Sequence, residues 1–271
     1  MDKARAVDKI KSFLLELFFP CFCFGCGKEG VYLCQDCKSI LDISEYDYCL
    51  CNKNPLRLPL NQNPSAGAST ELSRMSSGLK NGKCNKCSDK KLSGLYFALP
   101  YKEKLLTKKL IYQFKYKPYI KDLAKILALL IAEHLILSGK NIEEIWENSI
   151  LIPVPLDKKK LKFRGYNQSE ELAKELAKIF KIPLISDVLI KTKITEPQME
   201  LAKEEREKNL RGAFAINYKK LQTSDVCNFD KKKVFLVDDV YTTGSTTEEC
   251  ARILRQAGAK SVWGIAIARE E

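Results

Sequence analysis

One histidine, His134, serves all 271 residues, beside two tryptophans and three methionines. That scarcity excludes histidine-built metal centres. It also leaves every nucleophile in the chain without an evident imidazole partner. His134 itself falls in LAKILALLIAEHLIL, an apolar helical pattern, and reads as a packed residue rather than a catalyst. Cys227 and Cys250 have no histidine near them in sequence and read as structural. Long uninterrupted apolar runs are missing too. Near the start, FLLELFFP is broken by Glu16, preceded by Asp2 and Asp8, and followed by no small-residue cleavage site, so no signal peptide is expected. The later apolar stretch carries Lys125, Glu133 and His134 and falls short of the roughly 18 apolar residues of a membrane span. The expectation is a soluble, cytoplasmic protein. Acidic residues are in deficit, 34 against 46 Lys and Arg, for a formal charge of +12. Such an excess draws polyanions such as nucleic acid, phosphates or acidic membrane, though a lysine-rich proteome produces the same balance.

Cysteine is plentiful. Nine of eleven lie between Cys21 and Cys87, mostly in short pairs: Cys23 with Cys26, Cys34 with Cys37, Cys49 with Cys51, and Cys84 with Cys87. Two thiolates separated by two residues bend into a knuckle facing one ion, and two knuckles complete the tetrahedron that zinc prefers. Without an export signal, a disulfide framework is the weaker reading. Proximity groups the first four paired thiols into one site and leaves Cys49, Cys51, Cys84 and Cys87 for a second. One or two structural Zn²⁺ sites are therefore expected. The second is less regular, because one pair is a residue tighter and 32 residues separate the two pairs. Spacing alone leaves pairing across the two sets open, and Cys21 is left over.

Between Cys51 and Cys84 the sequence is rich in Pro, Asn, Ser and Gly and has no periodicity, so residues 54–83 are expected to form a mobile loop. From about Leu92 apolar runs alternate with helical patterns: KDLAKILALLIAEHLIL, SILIPVP, SEELAKELAKIF, KKVFLVDD, TTEECARILRQAGA and SVWGIAIA. This divides the chain into a cysteine-rich part, 1–91, and an α/β body, 92–271, with a mainly parallel sheet flanked by helices. Ligands of such sheets bind beyond the carboxyl ends of the strands.

One strand ends in VFLVDDVYTTGST, Val234 to Thr246. Asp238 and Asp239 would bring two carboxylates to that edge, suited to accept hydrogen bonds from a diol or to help position a hydrated metal. Thr242, Thr243, Gly244, Ser245 and Thr246 would supply hydroxyls and N–H groups at a helix N-terminus, an anion cradle. A sugar 5-phosphate fits both halves. A strand end followed by an ordinary helix cap is the plainer alternative.

The whole stretch resembles the signature of type I phosphoribosyltransferases, with Tyr241 standing where an aliphatic residue is commoner. Three further blocks make the chain similar to the ComF family. They are the cysteine-rich part, the run PVPL…RGYNQSEELAKELA ending at Ala177, and TEPQMELAKEEREKNLRGAF, with Thr195, Gln198, Arg206, Asn209, Gly212, Ala213 and Phe214. The resemblance spans nearly the whole chain and implies a type I phosphoribosyltransferase fold behind a small N-terminal zinc ribbon. It implies phosphoribosyl pyrophosphate with Mg²⁺ as ligand, the ribose hydroxyls on Asp238 and Asp239 and the 5-phosphate on Thr242 to Thr246.

By analogy with amidophosphoribosyltransferases, the basic segment after Pro153-Val154-Pro155 would face pyrophosphate, with Arg164 the favoured contact and its lysines solvated loop charges. Asn167 and Gln168 either belong to the site or cap the next helix. Residues 195–211 occupy the place of the family's flexible catalytic loop, with Gln198 and Arg206 as contacts. The resemblance further implies a role in natural transformation, with single-stranded DNA and a helicase-like ATPase of the same operon as partners. Lys115, Tyr116, Lys117 and Tyr119 are the DNA-contact candidates, in a segment where seven lysines from Lys102 to Lys121 interleave with aromatics. The alternatives are an active phosphoribosyltransferase with ammonia or a base as acceptor, and a zinc-stapled adaptor without catalysis. No glutaminase nucleophile opens the chain, so glutamine-dependent amidotransfer in one polypeptide is not expected.

Overall fold

The computed structural model describes residues 20–51, 54–58, 83–102, 104–117, 119–192, 210–222 and 228–270. Four parallel strands form the central sheet: β1 (Gly94–Pro100), β2 (Ser149–Pro153), β5 (Lys233–Tyr241) and β6 (Ser261–Arg269), in the order β1-β6-β5-β2. Pro100 lies beside Arg269, Tyr241 beside Arg269, and Pro153 beside Val237. The carboxyl ends of all four strands therefore share one edge. A separate antiparallel pair joins β3 (Leu189–Lys191) to β4 (Phe214–Ile216).

The helices, in chain order, are α1 (Gln35–Ser39), α2 (Leu105–Lys115), α3 (Leu123–Leu137), α4 (Ile142–Trp146), α5 (Lys158–Arg164), α6 (Gln168–Phe180), α7 (Tyr218–Gln222) and α8 (Ser245–Gln256). On one face of the sheet, α3 and α6 pack with Phe235, Val237, Leu151 and Ile267 in a single apolar cluster. The sheet and α6 cover two sides of α3, while Leu129, Ile136 and Leu137 on it stay exposed. α6 is amphipathic: Leu172, Ala173 and Leu176 are buried, while Lys174 and Lys178 pair with Glu170 and Glu175 on the outer face. On the other face Cys250, Ala251 and Leu254 of α8 pack with Val234, Leu236, Val262 and Phe214.

This second cluster also contains Cys49, Leu50, Cys84 and Cys87, so part of the cysteine-rich segment lies in the core that backs the sheet. Two expectations need correction. Residues 54–58, assigned to the loop by composition, pair with the preceding segment instead: Cys49 N–H donates to the Leu56 carbonyl (2.8 Å) and Leu58 N–H to the Asp47 carbonyl (2.8 Å). The rest of that loop up to residue 82 lies outside the described residues. The basic segment after Pro155 is a short helix rather than a loop, because Asp157 caps its start through the Lys159 N–H (2.9 Å) and Gly165, at φ +81°, closes it.

Candidate functional site

β5 runs on past its apolar core, so that Asp238 and Asp239 stand at the shared carboxyl edge, half-buried, above a pocket of about 920 Å³. Its walls are α2, the end of β5 and the turn into α8. Each carboxylate meets a helix. Asp238 Oδ1 accepts from Ser169 Oγ (3.1 Å) in the first turn of α6 and from the Asp239 N–H (2.9 Å). Asp239 Oδ1 accepts from the Val240 N–H (2.6 Å) and forms an ion pair with Lys115 Nζ (2.9 Å), the last residue of α2.

Burial, with the charge of Asp239 added to it, pushes the Asp238 carboxyl up to about 7, against the opposing pull of Lys115. For Lys115, burial works to lower the ammonium's affinity for its proton. The charge and hydrogen bond of Asp239, joined by Asp238, outweigh it and hold the group above its ordinary value. The site thus sets one cation beside two adjacent carboxyl groups.

Beyond Tyr241 the chain turns through Thr242, Thr243 and Gly244 into α8. Gly244 takes φ +76°, and a Cβ there would stand 2.2 Å from the Tyr241 hydroxyl oxygen, so glycine is required twice over. Thr243 Oγ1 and Ser245 Oγ lie 2.8 Å apart, and Thr247 Oγ1 donates to the Gly244 carbonyl (3.0 Å), so the hydroxyls brace the turn from within. Helix N-termini carry N–H groups without intrahelical acceptors and the positive end of the dipole. This one opens into the pocket and has the makings of an anion site.

The run Arg164-Gly165-Tyr166-Asn167-Gln168 assembles this site from behind. Tyr166 Oη donates to the Phe114 carbonyl (2.6 Å), fixing the end of α2 and with it Lys115. Burial pushes the phenol up to about 12, which keeps it a neutral donor. Asn167 caps α6 through the Ser169 N–H (3.2 Å) and donates to the Val154 carbonyl (3.0 Å), tying α6 to the end of β2. Buried Gln168 accepts from Arg164 (3.0 Å), whose guanidinium lies 5.2 Å from the centre of the Tyr116 ring.

A family model described as a phosphoribosyl transferase domain matches residues 167–269, from the cap of α6 to the end of β6. The chain is 33% identical over 162 residues to "Competence protein F" of Haemophilus influenzae, covering 58% of this chain and 66% of that one. The chain contains a phosphoribosyl transferase domain and is similar to ComF-like proteins. Two further relatives are both named "DNA utilization protein YhgH". That of Escherichia coli K12 is 28% identical over 153 residues, covering 56% of this chain and 63% of that one. That of Salmonella typhi is 26% identical over 232 residues, covering 85% and 93%. The Haemophilus and E. coli matches thus span slightly under two thirds of those relatives. A solved phosphoribosylpyrophosphate synthetase from Mycobacterium smegmatis is 18% identical across 54% of this chain and 33% of that one, at a TM-score of 0.30, too loose a likeness to carry weight.

The cysteine-rich part of the chain gathers its thiols as proximity in sequence suggests, Cys23, Cys26, Cys34 and Cys37 in one group and Cys49, Cys51, Cys84 and Cys87 in the other, each within 4.8 Å. Pairing across the sets is thereby excluded. Sulfurs at about 2.3 Å from a tetrahedral zinc stand about 3.8 Å apart. The observed separations of 3.6 Å (Cys26–Cys34), 3.4 Å (Cys51–Cys84) and 3.7 Å (Cys84–Cys87) fit that geometry. Backbone N–H groups point at the sulfurs, from Cys34 to Cys23 (3.4 Å) and from Leu56 to Cys49 (3.1 Å). The absence of a side chain at Gly25 lets Cys37 close over the first knuckle. Both groups can hold a metal ion and are compatible with a zinc ribbon.

The other candidates fall as follows. Lys115 turns into the pocket, onto Asp239, while Tyr116 lines its rim beside Tyr112, ring centres 4.9 Å apart. Lys117 and Tyr119 surround exposed Phe163, at 5.8 and 6.2 Å. Arg164 is engaged with Gln168 and Tyr116 rather than lining the pocket. Gln198 and Arg206 lie outside the described residues, although Gly212, just after them, donates its N–H to Glu249 of α8 (2.8 Å). His134 is buried with Nδ1 2.6 Å from the Ser44 carbonyl oxygen, away from the pocket lining. Among the described residues no helix is long and apolar enough to cross a membrane. Sequence reasoning passed over Ser169 and the pocket role of Lys115. The signal for Lys115 was its place at the end of a helical pattern, but its aromatic neighbours directed attention to nucleic acid.

Proposed function

We propose that the pocket binds phosphoribosyl pyrophosphate with Mg²⁺ and that the protein acts in the cytoplasm on single-stranded DNA entering the cell. The observation that carries the reading is the Asp238–Asp239 pair, with Lys115 bound to Asp239 and a glycine turn into a helix N-terminus directly following. The ribose hydroxyls meet the two carboxylates, the 5-phosphate rests on Thr242 to Thr246, and Lys115 faces the anionic end of the ligand. A volume of about 920 Å³ suits a ligand of that size. Mg²⁺ would arrive with the pyrophosphate and share its charge, and the two cysteine groups would each hold a structural Zn²⁺.

The names of the relatives, competence and DNA utilization, support the DNA role. So does the ledge that runs from the pocket rim, Tyr112 and Tyr116, to Phe163, with Lys117 and Arg164 over its rings. Bases stack on such rings while cations follow the backbone. On this reading a helicase-like ATPase would be its partner. The test is fluorescence anisotropy of a labelled single strand at rising salt. Binding that weakens steeply with salt and is lost in Tyr112→Ala/Phe163→Ala supports the reading, and binding indifferent to both changes refutes it. Turnover is the second reading, favoured by the intact carboxylate pair, and it predicts pyrophosphate release that vanishes in Asp239→Ala.

A further inference from the structure

The two cysteine groups differ in what they touch. The first packs with little beyond Leu33 and Leu106, whereas the second belongs to the core behind β5 and α8. A series of contacts joins that second group to the turn at Gly244. Arg269, fully buried at the end of β6, donates Nη1 to the Cys49 carbonyl (2.9 Å) and Nη2 to the Cys51 carbonyl. Its guanidinium stands 5.7 Å from the centre of the Tyr241 ring. Lys90, three residues beyond Cys87, donates to the Leu50 carbonyl (2.7 Å) and reaches the Tyr241 hydroxyl (3.4 Å). The next two N–H groups, of Lys91 and Leu92, both donate to the Glu248 carboxylate in the first turn of α8, Leu92 at 3.1 Å. Tyr241 thus has the second cysteine group behind it and Gly244 packed against its hydroxyl in front.

We propose that the second cysteine group, when it holds its metal, sets the shape of the turn at 242–246, so that metal binding there and anion binding in the pocket are coupled. Lys90, Arg269, Tyr241 and Glu248 are positioning residues that act through the turn. The metal fixes the backbone at Cys49–Cys51 and beyond Cys87, and those segments hold Tyr241 and the first turn of α8. A buried site that loses its ion loses the tie between two segments 32 residues apart, and its neighbours relax with it. Coupling of this kind is reciprocal: the sugar phosphate retards metal loss as much as the metal favours the sugar phosphate. The inference rests on reading the pocket as a phosphoribosyl pyrophosphate site.

The test is calorimetric titration of phosphoribosyl pyrophosphate and Mg²⁺ into zinc-loaded wild type, Cys26→Ser, Cys51→Ser, Lys90→Met and Tyr241→Phe, with metal content and circular dichroism recorded for each. Cys26→Ser, altered only in the first group, should bind like wild type, and Cys51→Ser should lose about tenfold or more in affinity. Lys90→Met and Tyr241→Phe, with both metals retained, should each lose about threefold or more. Zinc transfer to a chelating dye should slow in the presence of ligand for one of the two ions. Unchanged affinity in Lys90→Met and Tyr241→Phe overturns the coupling even if Cys51→Ser fails to fold. Failure of the loaded wild type to bind at all instead removes the pocket reading, and the coupling goes with it.

Discussion

Lys115 Nζ stands 2.9 Å from Asp239 Oδ1, across the gap between the last residue of α2 and the edge of the central strand. The contact puts a cation beside two carboxylates that would otherwise repel each other. It also leaves that cation within reach of whatever anion enters the pocket. Lys115→Gln should weaken phosphoribosyl pyrophosphate binding on the order of 10- to 100-fold, the value of one charge-assisted hydrogen bond. Affinity by calorimetry checks this, and Lys108→Gln, on the same helix at the pocket rim, serves as the comparison.

Desolvation of the Asp238 carboxyl and the charge of Asp239 push it from its ordinary 3.8 up to about 7 in the folded protein. A raised acid pKa means that the folded state holds a proton the unfolded chain has already released. This residue's contribution is therefore full below about pH 4, falls as pH rises, and is gone above about pH 7. Asp238→Asn keeps the hydrogen-bond acceptor for Ser169 and cannot ionise. It should melt higher than wild type at pH 8, and the difference should close as the pH falls toward 4 in thermal scans. Ligand affinity of the wild type should rise from pH 6 to 8 as the carboxylate forms.

The turn admits no side chain at Gly244. Alanine there meets both a φ of +76° and the Tyr241 hydroxyl. Gly244→Ala should cost about 2 kcal/mol or more in stability by chemical denaturation and reduce sugar-phosphate binding beyond detection.

Metal content separates the two cysteine groups. The zinc-reconstituted chain should carry two equivalents by elemental analysis, and Cys26→Ser, which alters an exposed ligand, should carry one while its circular dichroism stays close to wild type.

Much of this was legible in the sequence because strand and helix periods were clean. β5, β6, α3, α6 and α8 all fall where apolar spacing places them, and Asp238, Asp239 and Gly244 stand out by chemistry alone. The thiols sort themselves by proximity, with the 32-residue gap bridged by folding. What the sequence hid were contacts made across the chain. Lys115 reads as one lysine among seven until Tyr166 ties its helix to the sheet edge. Nor could spacing show that Arg164 is held by Gln168 and Tyr116. The pairing of residues 54–58 was invisible because composition reports flexibility, while backbone hydrogen bonds to Asp47 and Cys49 confer order regardless of residue type. Tyr241, a departure from the aliphatic residue commoner there, finds its reason in the turn it packs against.

The central claim is that the Asp238–Asp239 edge and the turn after it form a sugar-phosphate site. The most direct measurement is a calorimetric titration of phosphoribosyl pyrophosphate with Mg²⁺ into the zinc-loaded protein, beside Asp238→Asn/Asp239→Asn, which keeps the shape of both side chains. The account predicts saturable one-to-one binding by the wild type and none by the variant. Equal binding by the two, or none by a well-folded wild type, would contradict it.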